Sequence, residues 1–236
     1  LKDDLIYDIG YLDGEDTAYY LYKGFRVVAV EASPVLVEAG RARFAREIAS
    51  GQLVLHNIGI ADRRDTLTFW VCDSNPEWNS FIKSNASREN SDFHGIDVDC
   101  IPLRELLDEH GVPFYLKTDI EGYDRYCLAD LDPSDTPAFV SVEAHSLDYL
   151  CQLHHLGYRQ FKVVNQNEHH VLQDRATTPG WAFPFRKGGS GPFGDDSPGP
   201  WQPLETVAYD WLHVSMGHPE RSALRPGWYD FHAKKG

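Results

Sequence analysis

Five side chains able to do acid–base or hydrogen-bonding chemistry stand at the ends of short apolar runs. Asp8 follows Leu5-Ile6-Tyr7, Glu31 ends the run Arg26 to Val30, and Asp119 follows Phe114-Tyr115-Leu116. Glu143 and His145 follow Phe139 to Val142. Runs of this kind, alternating with helical segments, are the strands of a mostly parallel sheet, and ligands bind such sheets at the carboxyl ends of their strands. An acidic protein without a site would scatter its carboxylates over helix surfaces. A carboxylate at the end of the second strand, about twenty residues past a glycine turn, is the expected acceptor for two ribose hydroxyls, and Glu31 holds that place. Asp8 can accept from a ligand's amine or hydroxyl. His145 titrates near neutrality and is the first candidate for a general base, with a backbone-bonded histidine at a helix start as the alternative. Asp119 is the second candidate base, and it could instead hold a cofactor amine.

Asp119, Glu121, Glu143 and His145 also make a donor set of carboxylates plus one imidazole. Such a set suits Mg²⁺ or Mn²⁺, which would acidify a bound hydroxyl. Glu121 has a second reading, as a structural carboxylate paired with Lys117.

The turn Asp8-Ile9-Gly10-Tyr11-Leu12-Asp13-Gly14 leads the chain. Gly10 permits a sharp bend, and Gly14 permits close approach of helix and ligand. The spacing is not the G-x-G-x-x-G of a dinucleotide site, and Asp8, Asp13, Glu15 and Asp16 would repel a pyrophosphate. A ligand carrying an ammonium and a sulfonium would tolerate those charges. Asn57 and Ile60, just past the third strand, either line an adenine pocket or belong to loop and core.

The elements that must position these groups alternate regularly. Asp16 or Thr17 caps a helix to about Lys23, and Ser33 caps one with Pro34 at its first position that continues to about Ala49. Leu53–Leu55 and Leu67–Val71 read as strands. The Ser- and Asn-rich stretch 72–97 reads as a long loop or flap. Helices are expected at Leu103 to His110, Tyr123 to Leu131 and Ser146 to Leu156. Phe161 to Val164 is a late strand, Thr206 to Ser215 a helix, and Trp228 to His232 the last strand. The stretch 175–203 holds Gly188 to Gly194, several prolines, Trp181, Phe183, Phe185 and Trp201. It is either a lid or substrate loop or an excursion packed on the domain.

A chain of 236 residues fits one α/β domain, taken here as 1–236. The net charge of −14 argues against nucleic-acid backbones and anionic membranes as partners. No run is long and apolar enough to cross a bilayer. Cys72, Cys100, Cys127 and Cys151 form no C-x-x-C pair and read as small buried hydrophobes in a reducing, cytoplasmic setting. The pairs His154-His155 and His169-His170 point apart and make poor chelates.

Four stretches resemble the FkbM family of S-adenosylmethionine-dependent methyltransferases. They are Asp8-Ile9-Gly10 through Gly14, Val28-Ala29-Val30-Glu31-Ala32, Tyr115-Leu116-Lys117-Thr118-Asp119-Ile120-Glu121-Gly122 and Trp228-Tyr229-Asp230-Phe231-His232-Ala233. The segment Lys117 to Gly122 is the most specific. The resemblance implies a class I methyltransferase (Rossmann-like) α/β fold, with a mostly parallel seven-stranded sheet whose last strand is antiparallel. It implies S-adenosylmethionine as cofactor and methyl transfer to a hydroxyl of a small natural-product or sugar-like acceptor. It places Asp8, Gly10 and Gly14 in the cofactor loop, with Thr17 or Asp16 as further contacts, and Glu31 with Ala32 at the ribose. Where the family more often has a small residue and then Asn, this chain has Tyr11 and Leu12. The readings that compete with this one are a nucleotide-dependent oxidoreductase and a methyltransferase-like domain that only binds.

Overall fold

The strands form where β-branched and aromatic residues cluster, and they end where carboxylates and glycines begin. In a computed structural model of the protein, residues 1–171, 183–185, 189–225 and 227–236 are described. The element order is β1 (Lys2–Ile9), α1 (Glu15–Tyr22), β2 (Arg26–Glu31), α2 (Pro34–Arg43), α3 (Ala45–Ala49), β3 (Leu53–Asn57), β4 (Gly59–Ile60), β5 (Asp65–Cys72), α4 (Lys83–Ala86), β6 (Phe93–Ile101), α5 (Leu103–His110), β7 (Pro113–Thr118) and α6 (Asp124–Ala129). There follow β8 (Phe139–Glu143), α7 (Leu147–His155), β9 (Tyr158–Asn165), α8 (Leu204–Ser215) and β10 (Tyr229–Lys235). The main sheet has seven strands in the order β3-β2-β1-β7-β8-β10-β9, with β10 antiparallel to both neighbours. The chain divides into two compact units, Leu1–Leu131 and Asp132–Gly236.

In the first unit β1 pairs in parallel with β2 and β7, and β2 in parallel with β3. Tyr7, Ile9, Tyr19, Tyr20, Val28 and Tyr115 make its buried core. The Tyr7 hydroxyl donates to the carbonyls of Leu106 and Gly111, fastening the end of α5 to the strand layer. A second, three-stranded sheet runs β4-β6-β5. Here the structure departs from the sequence reading. The stretch 72–97 is not one long loop, because Phe93–Ile101 is a strand antiparallel to β5. Its alternation is plain once paired: Val98 and Cys100 are buried while Asp97 and Asp99 are exposed, a period of two that the polar composition hid.

The helix starts also differ from expectation. Gly14, in the left-handed region at φ 75°, is the cap of α1, so Asp16 and Thr17 lie inside the helix and are buried. Pro34 does open α2, but the Ser33 side chain makes no cap bond, and the helix breaks at Phe44 before α3.

In the second unit β8, β10 and β9 bury Val140, Val142, Phe161 and Phe231, with Leu150 and Leu153 of α7. Ser146 caps α7 by accepting the Asp148 N–H at 3.2 Å. Residues 175–182, with Trp181, and 186–188 of the aromatic Gly/Pro stretch lie outside the described residues. Among the described ones, Phe185 and Phe193 are buried. The Lys162 ammonium donates to the Gly194 and Ser197 carbonyls at 3.2 and 2.8 Å and sits 4.3 Å from the Trp201 ring centre. The described part of the stretch is therefore packed onto its unit. All four cysteines are free thiols, and Cys151, expected to be buried, is exposed.

Candidate functional site

The first unit gathers its functional groups at the carboxyl ends of β1, β2 and β7. The chain leaves β1 through Gly10, whose φ is 91°. A Cβ there would stand 1.9 Å from the Asp119 carbonyl oxygen, so only glycine allows the two strand ends to meet. The Asp119 N–H donates to the Ile9 carbonyl at 2.9 Å and completes the junction. Leu12 sits at φ 53°, a region that favours Gly and Asn over a branched aliphatic residue.

That conformation has a use, because it turns the Leu12 N–H onto Glu31. One Glu31 oxygen accepts from the Leu12 N–H at 2.9 Å and the other from the Ser33 N–H at 2.8 Å. Glu31 is buried, and burial pushes its pKa up to about 7 against the lowering effect of those two N–H groups. A carboxylate offers about four lone-pair positions. Two are taken by backbone and fix the group, and two are left for hydroxyls. Asn57 braces the same corner by donating to the carbonyls of Glu31 and Ala32, both at 3.0 Å. Its role is thus support of the corner through the backbone. Ile60 is buried in the second sheet, paired with Ile101, as the core alternative had it.

Asp8 is also placed differently from a ligand acceptor. It is wholly buried, with one oxygen receiving the Thr17 hydroxyl at 2.6 Å and the other 3.1 Å from the Lys117 ammonium. Thr17, expected to contact the cofactor, thus orients Asp8. Lys117 donates to the Gly10 carbonyl at 2.6 Å and lies 3.8 Å from Asp16. Burial alone would lower the Lys117 pKa, but the Asp8, Asp119 and Asp16 carboxylates raise it well above the ordinary value. The sequence reading had this cation only as a possible partner of Glu121. Its signal was a lysine in an otherwise apolar strand, directly after buried Tyr115 and Leu116. Glu121, read as a possible partner of Lys117, instead pairs with Arg88 at 2.8 Å and accepts from Asn85.

Gly14 does not open space for a ligand. A Cβ there would stand 2.4 Å from the Tyr11 ring, and one at Gly40 would stand 2.5 Å from the Tyr11 hydroxyl oxygen. Tyr11 is buried against these two glycines.

In the second unit Glu143 ends β8, buried. One of its oxygens accepts from the Trp228 indole N–H at 2.5 Å, and the other stands 2.6 Å from His145 Nε2. His145 is about one-third exposed, with a side-chain accessibility of 32%. A buried carboxylate that fixes one imidazole nitrogen leaves the other nitrogen directed elsewhere and sets its tautomer. Trp228 was not singled out as a site residue by sequence, since an aromatic at a strand start reads as core.

This combination defines the class. A parallel sheet with an antiparallel seventh strand, a glycine turn after β1 and a fixed carboxylate after β2 make the class I methyltransferase fold. The methyltransferase FkbM domain matches residues 8–170, and the chain belongs to that family. Among solved structures, the chain is similar to a methyltransferase FkbM from Methylobacillus flagellatus KT (16% identity, TM-score 0.42, 60% of this chain and 33% of that one). It thus spans about a third of that protein's length. It is similar also to a precorrin-6y C5,15-methyltransferase from Geobacter metallireducens GS-15 (14% identity, TM-score 0.44, 100% and 82% covered). A third is an O-methyltransferase from Bacillus cereus in complex with SAH (10% identity, TM-score 0.36, 98% and 74% covered). No curated protein matches the sequence. Among the described residues no helix is long and apolar enough to cross a membrane.

Proposed function

We propose that the protein is an S-adenosylmethionine-dependent methyltransferase acting on a hydroxyl of a small natural-product or sugar-like acceptor. The observation that carries the reading is Glu31, a buried carboxylate held by Leu12 and Ser33 N–H groups at the end of β2 with lone pairs to spare. These residues fit a ribose. Bound S-adenosylmethionine would supply an activated methyl group on a sulfonium, so the protein need only orient, exclude water and take up one proton.

The chain's own groups divide that work. Glu31 holds the two ribose hydroxyls, while Gly10 and Asp119 shape the turn beside it. The ion pair of Lys117 with Asp8 fixes the turn from beneath. His145, oriented by Glu143, accepts the proton of the acceptor hydroxyl at its other ring nitrogen. A bound Mg²⁺ or Mn²⁺ ion is the alternative way to acidify that hydroxyl, and loss of turnover in a chelator would favour it.

Calorimetric titration with S-adenosylmethionine, S-adenosylhomocysteine and NAD tests the reading. Binding of both adenosyl ligands without NAD is expected. Binding of NAD alone would overturn it in favour of a nucleotide-dependent oxidoreductase.

A further inference from the structure

His56 and His110 lie far apart in sequence, yet their Nε2 atoms face each other 3.2 Å apart. His56 is on β3, the edge strand of the main sheet, and His110 is the last residue of α5. Both rings are half-buried, with centres 5.4 Å apart and planes tilted by 54°. Glu109 precedes His110 on α5, its exposed carboxylate 3.6 Å from His110 Nε2.

We propose that His56 and His110 are the two protein nitrogens of a site for a divalent transition-metal ion of the Zn²⁺ class, with water completing its coordination. The geometry is what such an ion requires. Two nitrogens each about 2.0–2.1 Å from one tetrahedral ion stand about 3.3 Å apart, close to the spacing found here. Imidazole nitrogens select Zn²⁺, Cu²⁺ or Ni²⁺ over Mg²⁺ or Ca²⁺, which prefer all-oxygen sites.

The ion would tie the sheet edge to the end of α5. It would do so from the face opposite the next residue, Asn57, since neighbouring strand side chains alternate. The site is thus independent of the groups assigned to methyl transfer.

The alternative is a plain hydrogen bond between two neutral rings, and titration of the whole protein separates the two. Zn²⁺ is added to the wild type, His56→Gln and His110→Gln under calorimetry. The proposal expects one equivalent bound by the wild type, and binding weaker by about tenfold or more in each variant. Equal binding by all three, or none by the wild type, would overturn it.

A second measurement needs no variant. Substoichiometric Cu²⁺ should broaden the imidazole proton resonances of His56 and His110 before those of the other histidines. Broadening confined to others, His145 among them, would overturn the proposal as well.

Discussion

Removing the Glu31 carboxylate, as in Glu31→Ala, should weaken S-adenosylhomocysteine binding while leaving a folded protein. The side chain is assigned the two ribose hydroxyls, and losing a fixed hydrogen-bond partner costs about 1–3 kcal/mol, or roughly 5- to 150-fold in Kd. The same change strips two backbone donors, Leu12 N–H and Ser33 N–H, of their acceptor, so a fall in stability of about 1–3 kcal/mol should accompany it. Calorimetry reads the first effect, and chemical denaturation without ligand reads the second. Wild-type affinity in a variant that has lost stability would refute the assignment, because Glu31 would then be only a clasp for the turn. Glu31 also makes a pH prediction. Its folded pKa of about 7 lies above the ordinary carboxylate value of 4.5, so the folded chain keeps a proton that the unfolded chain has released. Stability should be greatest below about pH 4.5 as far as this group is concerned, and fall as pH rises toward 7, by up to roughly 3 kcal/mol. Glu31→Gln should flatten that part of the profile.

Three further outcomes follow from the same corner of the fold and from the second unit. Lys117→Met leaves Asp8 buried without its cation, and should cost about 3–5 kcal/mol by denaturation, with part recovered in the double variant with Asp8→Asn. Leu12→Asn should stabilise the protein by about 0.5–1 kcal/mol, since Asn tolerates the left-handed conformation that Leu12 now adopts at φ 53°; an unchanged midpoint would mean that no strain is held there. His145→Ala should lower turnover by about 100-fold or more with cofactor affinity near wild type. If turnover survives, Asp119 is the source of the base, and Glu143→Gln should then be equally silent.

The ends of the strands were legible because the physics there is local. Apolar β-branched runs stop at Asp8, Glu31, Asp119 and Glu143, and the structure puts all four at carboxyl termini of strands. The seventh strand, Tyr229–Lys235, was visible as alternation, and its antiparallel sense came with the family resemblance. What sequence could not give was the partner of each group. Asp8 and Thr17 looked like ligand contacts, but they satisfy each other and Lys117, a pairing that requires residues more than a hundred positions apart. The strand Phe93–Ile101 was lost among serines, asparagines and aspartates because only pairing with β5 decides which face is buried. Cys151 was assigned to the interior from residue type alone, and its place on α7 exposes it.

The contact of Tyr11 with Gly14 and Gly40 has a consequence for how this chain can change. One phenol ring occupies volume that two glycines vacate, so the three positions share a fixed total of space. A Cβ at 40 meets the Tyr11 hydroxyl at 2.5 Å and the Leu55 Cδ2 at 2.8 Å, so a side chain there needs both a smaller residue at 11 and a shift of the Leu55 side chain. Position 14 is less free, because its positive φ requires glycine in any case. Related chains should therefore carry a side chain at the position of Gly40 only where the positions of Tyr11 and Leu55 together give it room, and the three sites should covary in size.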